Sequence, residues 1–266
     1  MIYLETAPSP PLAGLIRSLW YASAPEVEHQ RERVLPNGCM QIVITLAADA
    51  LTDCGLQAKD CTPIAPAIVV GARSRYEVIA TRDFAEIVGV IFRPGGLGPW
   101  LRQSANAFFE QSVPLENVWS NRDLRTRLRE ANGPSHKLLV LDRILRESLH
   151  NRSSERRTDV RAALFALRKQ PVREAARSVG LSERRLQQLF LEDVGLSPKL
   201  WSRVQRFQRA LKALHDGDGL RWEQLALDCG YYDQSHFSND FQAFSGINPT
   251  TYCQNRGPWR NHVVLD

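Results

Sequence analysis

The spacing of apolar residues divides the chain into a first half rich in strands and a second half built from helices. Three short β-branched runs, each closed by Gly, Pro or Asp, have the pattern of strands: residues 40–47, 66–72 and 86–92. The turn sequence at residues 93–96 ends this region. Helical spacing then predicts helices over residues 97–109, 121–131 and 135–150.

The last of these helices carries an apolar stripe. Its leucines recur at helical spacing, at Leu138, Leu141, Leu145 and Leu149. Two interpretations remain open at this point. The stripe packs within its own domain, or it forms a self-association face between two copies of the chain.

A polar, charged segment at residues 151–159 lacks apolar periodicity and is interpreted as an interdomain linker. It separates a first domain at residues 1–150 from a helical domain at residues 160–255, and residues 256–266 are left as a tail. The predicted fold class is therefore α+β. The N-terminal domain is mixed β and α, and the C-terminal domain is all-α.

The C-terminal domain contains an internal repeat, whose first copy covers residues 172–190. Its first helix buries residues at i, i+3, i+4 and i+7, namely Val172, Ala175, Ala176 and Val179. Gly180 follows, where the helix must end in a residue that tolerates the left-handed conformation, and Ser182 can cap the next helix. That second helix buries Leu186, Leu189 and Phe190. This is the pattern of a helix-turn-helix unit.

The pattern recurs fifty residues later, in residues 222–244. The first helix of this copy buries Trp222, Leu225, Ala226 and Cys229. Gly230 takes the place of Gly180, and Asp233 is the expected N-cap. The inner face of the second helix is formed by Phe237, Phe241 and Phe244. Both copies close with Gly-x-(Ser/Asn)-Pro, and the second has one extra residue before the closing glycine.

A long amphipathic helix is predicted between the two copies, over residues 199–214. Its apolar positions are Leu200, Val204, Phe207, Leu211 and Leu214. At 1.5 Å per residue it spans about 24 Å. Successive major-groove faces on one side of B-DNA lie about 34 Å apart, so two units joined by this helix could enter adjacent turns.

Composition and charge agree with this division. Hydrophobic residues are 43% and charged residues 24% of the chain, as in ordinary globular proteins. The net charge of +5 lies entirely in residues 156–266, which hold 17 Lys and Arg against 12 Asp and Glu, whereas residues 1–155 are neutral. The basic excess favours a polyanionic partner for the second half, although a solvated basic surface gives the same count.

Several classes of protein are disfavoured. No stretch approaches the ~18 apolar residues of a membrane span, and the N-terminus lacks the pattern of a secretory signal, so a cytoplasmic protein with no membrane partner is expected. The cysteines are odd in number and form no CxxC pair: Cys39, Cys54, Cys61, Cys229 and Cys253. We therefore expect reduced thiols, no disulfide framework, no metal and no cofactor.

The motifs of the repeat are specific enough to indicate a family. They are Gly180-Leu181-Ser182, Leu186-x3-Phe190-x4-Gly195-Leu196-Ser197-Pro198, and above all Gly230-Tyr231-x-Asp233-Gln234-Ser235-His236-Phe237-Ser238-x-x-Phe241-x4-Gly246-x-x-Pro249-x3-Cys253. Together they make residues 158–252 resemble the DNA-binding domain of the AraC/XylS family of bacterial transcriptional regulators. The resemblance implies a nucleoid-associated protein that acts on double-stranded promoter DNA, with RNA polymerase as a further partner and activation as the commoner behaviour.

The N-terminal half more loosely resembles the companion domain in one branch of these regulators. The traces are Leu35-Pro36-Asn37-Gly38-Cys39, Gly71-Ala72-Arg73 and Gly89-Val90-Ile91-Phe92-Arg93-Pro94-Gly95-Gly96. The resemblance implies a cupin-like β domain followed by helices, used to sense a small-molecule effector or to form a homodimer. A metal is not expected, because the histidines of this half are dispersed. Four aromatic residues could hold an apolar or aromatic effector or simply form core: Trp20, Tyr21, Phe92 and Trp100.

Base contacts are expected from the outward side of each second helix near its N-terminus. In the first unit the family's base-contacting positions are occupied by Arg184, Gln187 and Gln188. Arg can bind guanine, and Gln adenine, through paired hydrogen bonds. Phosphate contacts are expected from the helix start at Ser182 and from basic residues, namely Arg185, Lys199, Arg203 and Arg206. The alternative is that Arg and Gln are simply good exposed helix formers.

The second unit is less well equipped to bind DNA. Its outward residues are Gln234, Ser235, His236 and Asn239. The family often has arginine where Asn239 stands, so this helix lacks a cationic contact worth about 1–3 kcal/mol when bidentate. We expect the first unit to supply most of the sequence discrimination and the second to act as a weaker reader or phosphate clamp. His236 is expected to pack or cap rather than to read a base.

Two other functions fit fewer of these observations. An enzyme is disfavoured because residues 93–96 lack a phosphate loop or dinucleotide fingerprint, and Cys39 has no partner that the sequence can assign as a triad. A regulator that only binds proteins, with a decayed DNA-binding domain, is suggested by the weakened second unit alone. A DNA-binding regulator remains the best interpretation of the sequence.

Overall fold

The computed structural model describes residues 1–24, 29–56, 61–100, 103–149, 155–217 and 221–265, with the backbone alone at 155–158. Its first half is β-rich. The strands there are β1 (Ile2–Thr6), β2 (Ile16–Ser23), β3 (Arg31–Val34), β4 (Gln41–Thr45), β5 (Leu51–Asp53), β6 (Thr62–Ala65), β7 (Ala67–Val70), β8 (Glu77–Ala80), β9 (Ile87–Phe92) and β10 (Ser112–Pro114). A short helix, α1 (Pro10–Ala13), joins β1 to β2.

Six of these strands form one antiparallel sheet in the order β1-β2-β9-β4-β7-β10. The three strands predicted from sequence, β4, β7 and β9, lie together at its centre. The sequence gives no clear period-two pattern for the other strands because β2 is buried on both faces along most of its length, whereas all four residues of β3 are half-buried. Short strands with such patterns carry little local signal.

The longer helices of this half are α2 (Leu124–Glu130) and α3 (Gly133–Glu147), which confirms two of the three predicted helices. The predicted helix over residues 97–109 is wrong. Residues 94–100 form turns, and the only helical piece within the described part of this range is a 3-10 helix at Ala105–Phe108. Gly98 and Pro99 explain the difference, because both disfavour a helix interior.

The stripe of α3 faces its own domain. Leu138, Leu141 and Leu145 are at most 2% exposed and belong to the main hydrophobic core. Three of the four aromatic residues considered for an effector site, Tyr21, Phe92 and Trp100, lie in that core as well. The self-association interpretation of the stripe is therefore not supported.

The second half is helical, as predicted. Its elements are α4 (Glu155–Ala166), α5 (Val172–Ser178), α6 (Glu183–Asp193), α7 (Pro198–Asp216), α8 (Trp222–Asp228), α9 (Gln234–Ser245), α10 (Pro249–Asn255) and the strand β11 (His262–Val264). Residues 151–154 of the predicted linker lie outside the described residues. The remainder of that segment is the first turn of α4 rather than irregular chain. In the described ranges no helix combines the length and apolar character needed to cross a membrane.

The two helical units belong to different cores. The first unit shares one continuous core with the N-terminal sheet and α3, through residues such as Ala175, Leu186 and Phe190. The second unit has a separate core, which takes in Leu35 from the N-terminal half. Both units are thus packed against the N-terminal domain.

The segment predicted as a tail contains a strand of the N-terminal domain. β11 pairs antiparallel with β3, in a three-stranded sheet of order β11-β3-β8. The backbone N–H of Leu35 donates to the carbonyl of Asn261 at 2.8 Å, and the Asn261 side-chain amide donates to the Leu35 carbonyl at 3.1 Å. The end of the chain therefore fastens the second helical unit to the N-terminal sheet.

Cys54 and Cys61 form a disulfide, so the expectation of reduced thiols is wrong for this pair. The physical reason is tertiary. β5 pairs antiparallel with β6, and the two cysteines lie at the ends of these strands, where the hairpin brings them together. Cys39, Cys229 and Cys253 are not disulfide-bonded.

Candidate nucleic-acid interface

The two helix-turn-helix units are built in the same way. The first helix of each unit, α5 or α8, is followed by a left-handed glycine, Gly180 with φ 72° and Gly230 with φ 83°. This conformation is strained for residues with a Cβ, so glycine is the residue that allows the sharp turn. The assignment of these two glycines from sequence is confirmed.

Each second helix begins with the predicted cap. The Ser182 hydroxyl accepts a hydrogen bond from the backbone N–H of Arg185 at 3.2 Å, and the Asp233 carboxylate accepts one from that of His236 at 2.7 Å. These bonds satisfy donors that the first helical turn leaves without partners. The start and the orientation of both helices are therefore fixed locally.

The buried faces of α6 and α9 are those that the spacing predicts. Leu186, Leu189 and Phe190 of α6 are at most 1% exposed, and so are Phe237 and Phe241 of α9. The predicted base-reading side chains lie on the opposite faces and are exposed: Arg184, Gln187, Gln188, Gln234, Ser235 and Asn239. Arg185 and His236 are half-buried. Each unit thus presents polar side chains to solvent at the start of its second helix.

The exposed side chains of α6 differ in their internal contacts. The guanidinium of Arg185 donates to the side-chain oxygen of Gln188 at 3.0 Å, and the Gln188 amide donates to Glu192 at 2.8 Å. Among the described residues, Arg184 and Gln187 have no such side-chain hydrogen bond. These two can bind an external partner without first breaking an internal bond.

The basic residues of α7 include exposed lysines, Lys199 and Lys212, and a set of arginines that contacts the second unit. Lys199 is exposed in the first turn of α7. The guanidinium of Arg203 instead donates to the Asp240 carboxylate at 2.6 Å, and its central carbon lies 5.2 Å from the ring centroid of Phe244. Asp240 lies in α9 and is 5% exposed. This ion pair joins α7 to the second recognition helix.

Two further arginines of α7 hold the turn of the second unit. Arg206 donates to the carbonyl of Gly230 at 2.9 Å and stacks on Tyr231, with 4.8 Å from its guanidinium carbon to the ring centroid. Arg209 donates to the carbonyl of Cys229 at 3.1 Å. Sequence reasoning missed Arg209. The signal was the spacing of Arg203, Arg206 and Arg209 by three residues along one side of α7.

His236 lies where the sequence analysis expected it to pack. Its ring makes an edge-to-face contact with Tyr231 at 5.3 Å between centroids, and its Nε2 lies 3.9 Å from the Asp240 carboxylate. Burial raises the pKa of the Tyr231 phenol, with the nearby Asp240 carboxylate acting in the same direction, so this ring stays neutral. These contacts support the packing role of His236.

Comparison with known proteins identifies the class. Residues 175–255 match the family model described as a helix-turn-helix domain, and residues 4–114 match a domain of unknown function. Residues 175–255 therefore carry a helix-turn-helix domain of the AraC type, which confirms the resemblance for this part. This assignment supports a DNA-binding transcriptional regulator and not an enzyme.

Comparison with solved structures finds matches to several regulators. One is an AraC-type DNA-binding regulator from Chromobacterium violaceum, with 22% identity, a TM-score of 0.36, and 40% of this chain and 98% of that chain covered. The C-terminal domain of AraT from Geobacillus stearothermophilus has 21% identity, a TM-score of 0.34, and coverage of 39% and 87%. ToxT from Vibrio cholerae has 11% identity, a TM-score of 0.47, and coverage of 96% and 98%. This similarity is too low to transfer a ligand or a DNA sequence. No curated protein matches the chain.

Proposed function

We propose that this chain is a sequence-specific transcriptional regulator that reads DNA with α6 and α9 in adjacent major grooves. The observation that carries the proposal is the pair of units with the same turn glycine, the same type of cap and exposed polar side chains on the second helix. The connecting helix α7 has 19 residues, which at 1.5 Å per residue is about 28 Å. This length is comparable with the ~34 Å between successive major-groove faces.

The first unit is the main base reader in this proposal. Arg184 and Gln187 are exposed and make no competing side-chain bond within the described residues, so they supply the base contacts. Gln188 and Arg185 first have to exchange their mutual hydrogen bond for one to DNA. Ser182 and Lys199 lie at helix starts and are suited to phosphate contacts.

The second unit acts as a weaker reader or phosphate clamp. Gln234, Ser235 and Asn239 are exposed and uncharged, so they offer hydrogen bonds but no counterion release. His236 contributes less, because its ring packs on Tyr231. Arg203 is the one proposed phosphate contact that already has an anionic partner, Asp240, and we assign it mainly to positioning α9.

The N-terminal domain, residues 1–150, is proposed to carry effector control and homodimer formation, with residues 160–255 as the DNA-binding domain and RNA polymerase as a further partner. Contacts between the domains support such control. The Ser104 hydroxyl donates to the carbonyl of Leu191 in α6 at 3.2 Å, and Gly195 lies against Ala105. A change in the N-terminal domain can therefore reach the first recognition helix through direct contacts.

The test is selection of bound genomic DNA fragments by the purified chain at two salt concentrations. We expect one enriched motif, or two half-motifs about one helical turn apart. The variant Arg184→Ala/Gln187→Ala should lose that enrichment while it keeps salt-sensitive binding to unrelated DNA. A matched control is Arg143→Ala/Gln111→Ala, which removes an exposed arginine and an exposed glutamine far from α6 in sequence. Undiminished enrichment in the first variant would contradict the assignment and favour a protein-binding regulator.

A further inference from the structure

A cavity of about 100 Å³ lies within the N-terminal β domain. All three β-sheets contribute to its wall, through residues such as Val43 of β4, Ile64 of β6 and Val78 of β8. An apolar cavity of ~150 Å³ holds benzene, so a space of this size suits a ligand of a few heavy atoms. The wall combines a majority of apolar residues with polar and charged side chains that could orient a ligand.

The charged side chains of the wall are almost all of one sign. Three carboxylates line the cavity, those of Asp53, Glu77 and Asp83. Of the described residues in the wall, none is Lys or Arg, and the only basic side chain is that of His262. Two aromatic residues, Trp20 and Phe84, are also present. Carboxylates beside aromatic rings are the combination that attracts an organic cation and repels an anion.

One carboxylate oxygen of Glu77 has no hydrogen-bond partner among the described residues. The other oxygen lies 2.7 Å from the guanidinium of Arg73, and 18% of the side chain remains accessible although the residue sits deep between the sheets. Burial raises the pKa of Glu77 even though Arg73 opposes the rise. The ion pair with Arg73 therefore offsets only part of the cost of burying this carboxylate. A cation in the cavity would stabilise it.

Asp83 and Trp20 are held in place by other groups. Asp83 accepts hydrogen bonds from the backbone N–H and the hydroxyl of Thr52, at 2.8 and 2.6 Å. The indole of Trp20 lies against Gly89 of β9, where a Cβ would overlap the ring. The absent side chain at Gly89 is thus what gives the indole its position beside the cavity.

We propose that this cavity binds a small organic ammonium ion, with the Glu77 carboxylate as its counterion and Trp20 as its aromatic wall. That this ammonium ion acts as an effector rests on the proposed function. Its binding to the cavity can be measured without DNA. The ligand class is an alkylamine of up to about five heavy atoms, because the cavity is smaller than one that holds benzene.

The cavity also touches the strand that fastens the DNA-binding half. His262 of β11 lines the cavity, and its Nδ1 lies 2.7 Å from the Glu32 carboxylate of β3. The last backbone bond of this pairing runs from the N–H of Leu265 to the carbonyl of Arg31, at 3.1 Å. A bound amine would pack against His262, so we expect it to protect residues 262–265 from hydrogen exchange.

The experiment uses the full chain and three probes of similar shape and different charge: butylammonium, 1-butanol and butyrate. Calorimetry and thermal unfolding are measured at constant pH and ionic strength. Only butylammonium should bind and raise the Tm. Glu77→Gln should weaken its binding at least tenfold by calorimetry. Because the change also removes the ion pair with Arg73, the effect on binding is read from the affinity of the folded variant and not from its own Tm. Glu116→Gln, at an exposed glutamate, is the matched control and should behave like the unsubstituted protein.

Trp20→Phe tests the aromatic wall and should weaken butylammonium binding while retaining its selectivity over butanol. Equal stabilisation by butanol would show that the ligand need not be a cation, and stabilisation by butyrate would show that the cavity prefers an anion. If none of the three probes binds, the cavity is not a ligand site of this class. Unchanged affinity in Glu77→Gln would remove the proposed counterion. These readouts contain no DNA, so their failure is distinct from failure to select a DNA motif.

Discussion

The Glu32 carboxylate of β3 lies 2.7 Å from Nδ1 of His262 in β11, joining the N-terminal sheet to the last strand of the chain. The other oxygen of Glu32 is 2.5 Å from Nε2 of His29, so both carboxylate oxygens are engaged. Because β11 follows the second helix-turn-helix unit in the chain, after α10, this contact helps to fix that unit to the N-terminal domain. The DNA-binding half is therefore joined to the N-terminal domain through β11 as well as through the chain segment at residues 151–159.

The attachment should depend on pH. Burial alone would raise the pKa of Glu32, but hydrogen bonds and attraction from His262 and His29 lower it below its ordinary value of 4.5. A carboxyl group with a lowered folded-state pKa stabilises the fold above its unfolded-state pKa and loses that contribution as the pH falls through the folded-state value. We expect the difference in unfolding free energy between the unsubstituted chain and Glu32→Gln to shrink below about pH 4.5.

Urea unfolding followed at pH 7 and at pH 4 measures this difference. Glu116→Gln serves as the control, since its exposed side chain should show little effect at either pH. A Glu32→Gln effect that is equal at the two pH values would mean that the His contacts do not lower the pKa of this carboxyl group.

The ion pair between Arg203 and Asp240 should matter more than an ordinary surface pair. Asp240 is 5% exposed and Arg203 is partly exposed, so Arg203→Ala leaves a buried carboxylate without its strongest partner. We expect a loss of about 1–3 kcal/mol in unfolding free energy, less than for a fully buried pair because Arg203 is partly solvated. Denaturant unfolding measures it.

The matched variant is Lys212→Ala in the same helix. It breaks an exposed pair with Asp216, which should contribute little to stability because solvent screens the two charges. Equal losses in the two variants would show that Arg203 does not hold α9. If Arg203→Ala changes DNA affinity without changing stability, the phosphate contact rather than the positioning role is the correct assignment.

Two left-handed glycines that follow helices, Gly180 and Gly246, offer a test of the packing between the second unit and the N-terminal domain. Gly180 and Gly246 have the same φ of 72°, but a Cβ at Gly180 has no neighbour within 4 Å, whereas a Cβ at Gly246 would overlap the ring of Tyr76. Gly180→Ala should cost about 1–2 kcal/mol from the left-handed backbone alone. Gly246→Ala should cost more.

The excess should be relieved when Tyr76→Ala is combined with Gly246→Ala, because the collision partner is then removed. Thermal or denaturant unfolding of the four variants closes a double-mutant cycle. A zero coupling energy between positions 76 and 246 would show that the second unit does not pack on Tyr76 in solution.

The disulfide between Cys54 and Cys61 fixes the number of free thiols. Protein purified without reductant and then denatured should expose three thiols out of the five cysteines, and five after reduction. Thiol titration in denaturant counts them directly. Five thiols before reduction would show that Cys54 and Cys61 are reduced, so that only non-covalent contacts hold the β5–β6 hairpin.

The sequence alone determined the parts of this protein whose signals are local. Helix periodicity, the left-handed positions at Gly180 and Gly230 and the caps at Ser182 and Asp233 depend on residues within one or two turns of each other. The repeat of these signals identified both helix-turn-helix units. The break at Gly98 and Pro99 was also local and could have been seen.

Only the tertiary structure decided which distant segments meet. The three residues of β11 become a strand because β3 offers an unpaired edge, and Arg203 becomes a positioning residue because α9 brings Asp240 to it. The Cys54–Cys61 pair and the cavity beside Glu77 likewise depend on how the sheets pack. Contacts between residues far apart in the chain produce no periodic pattern in a single sequence, because such a contact does not restrict which residues stand next to either partner.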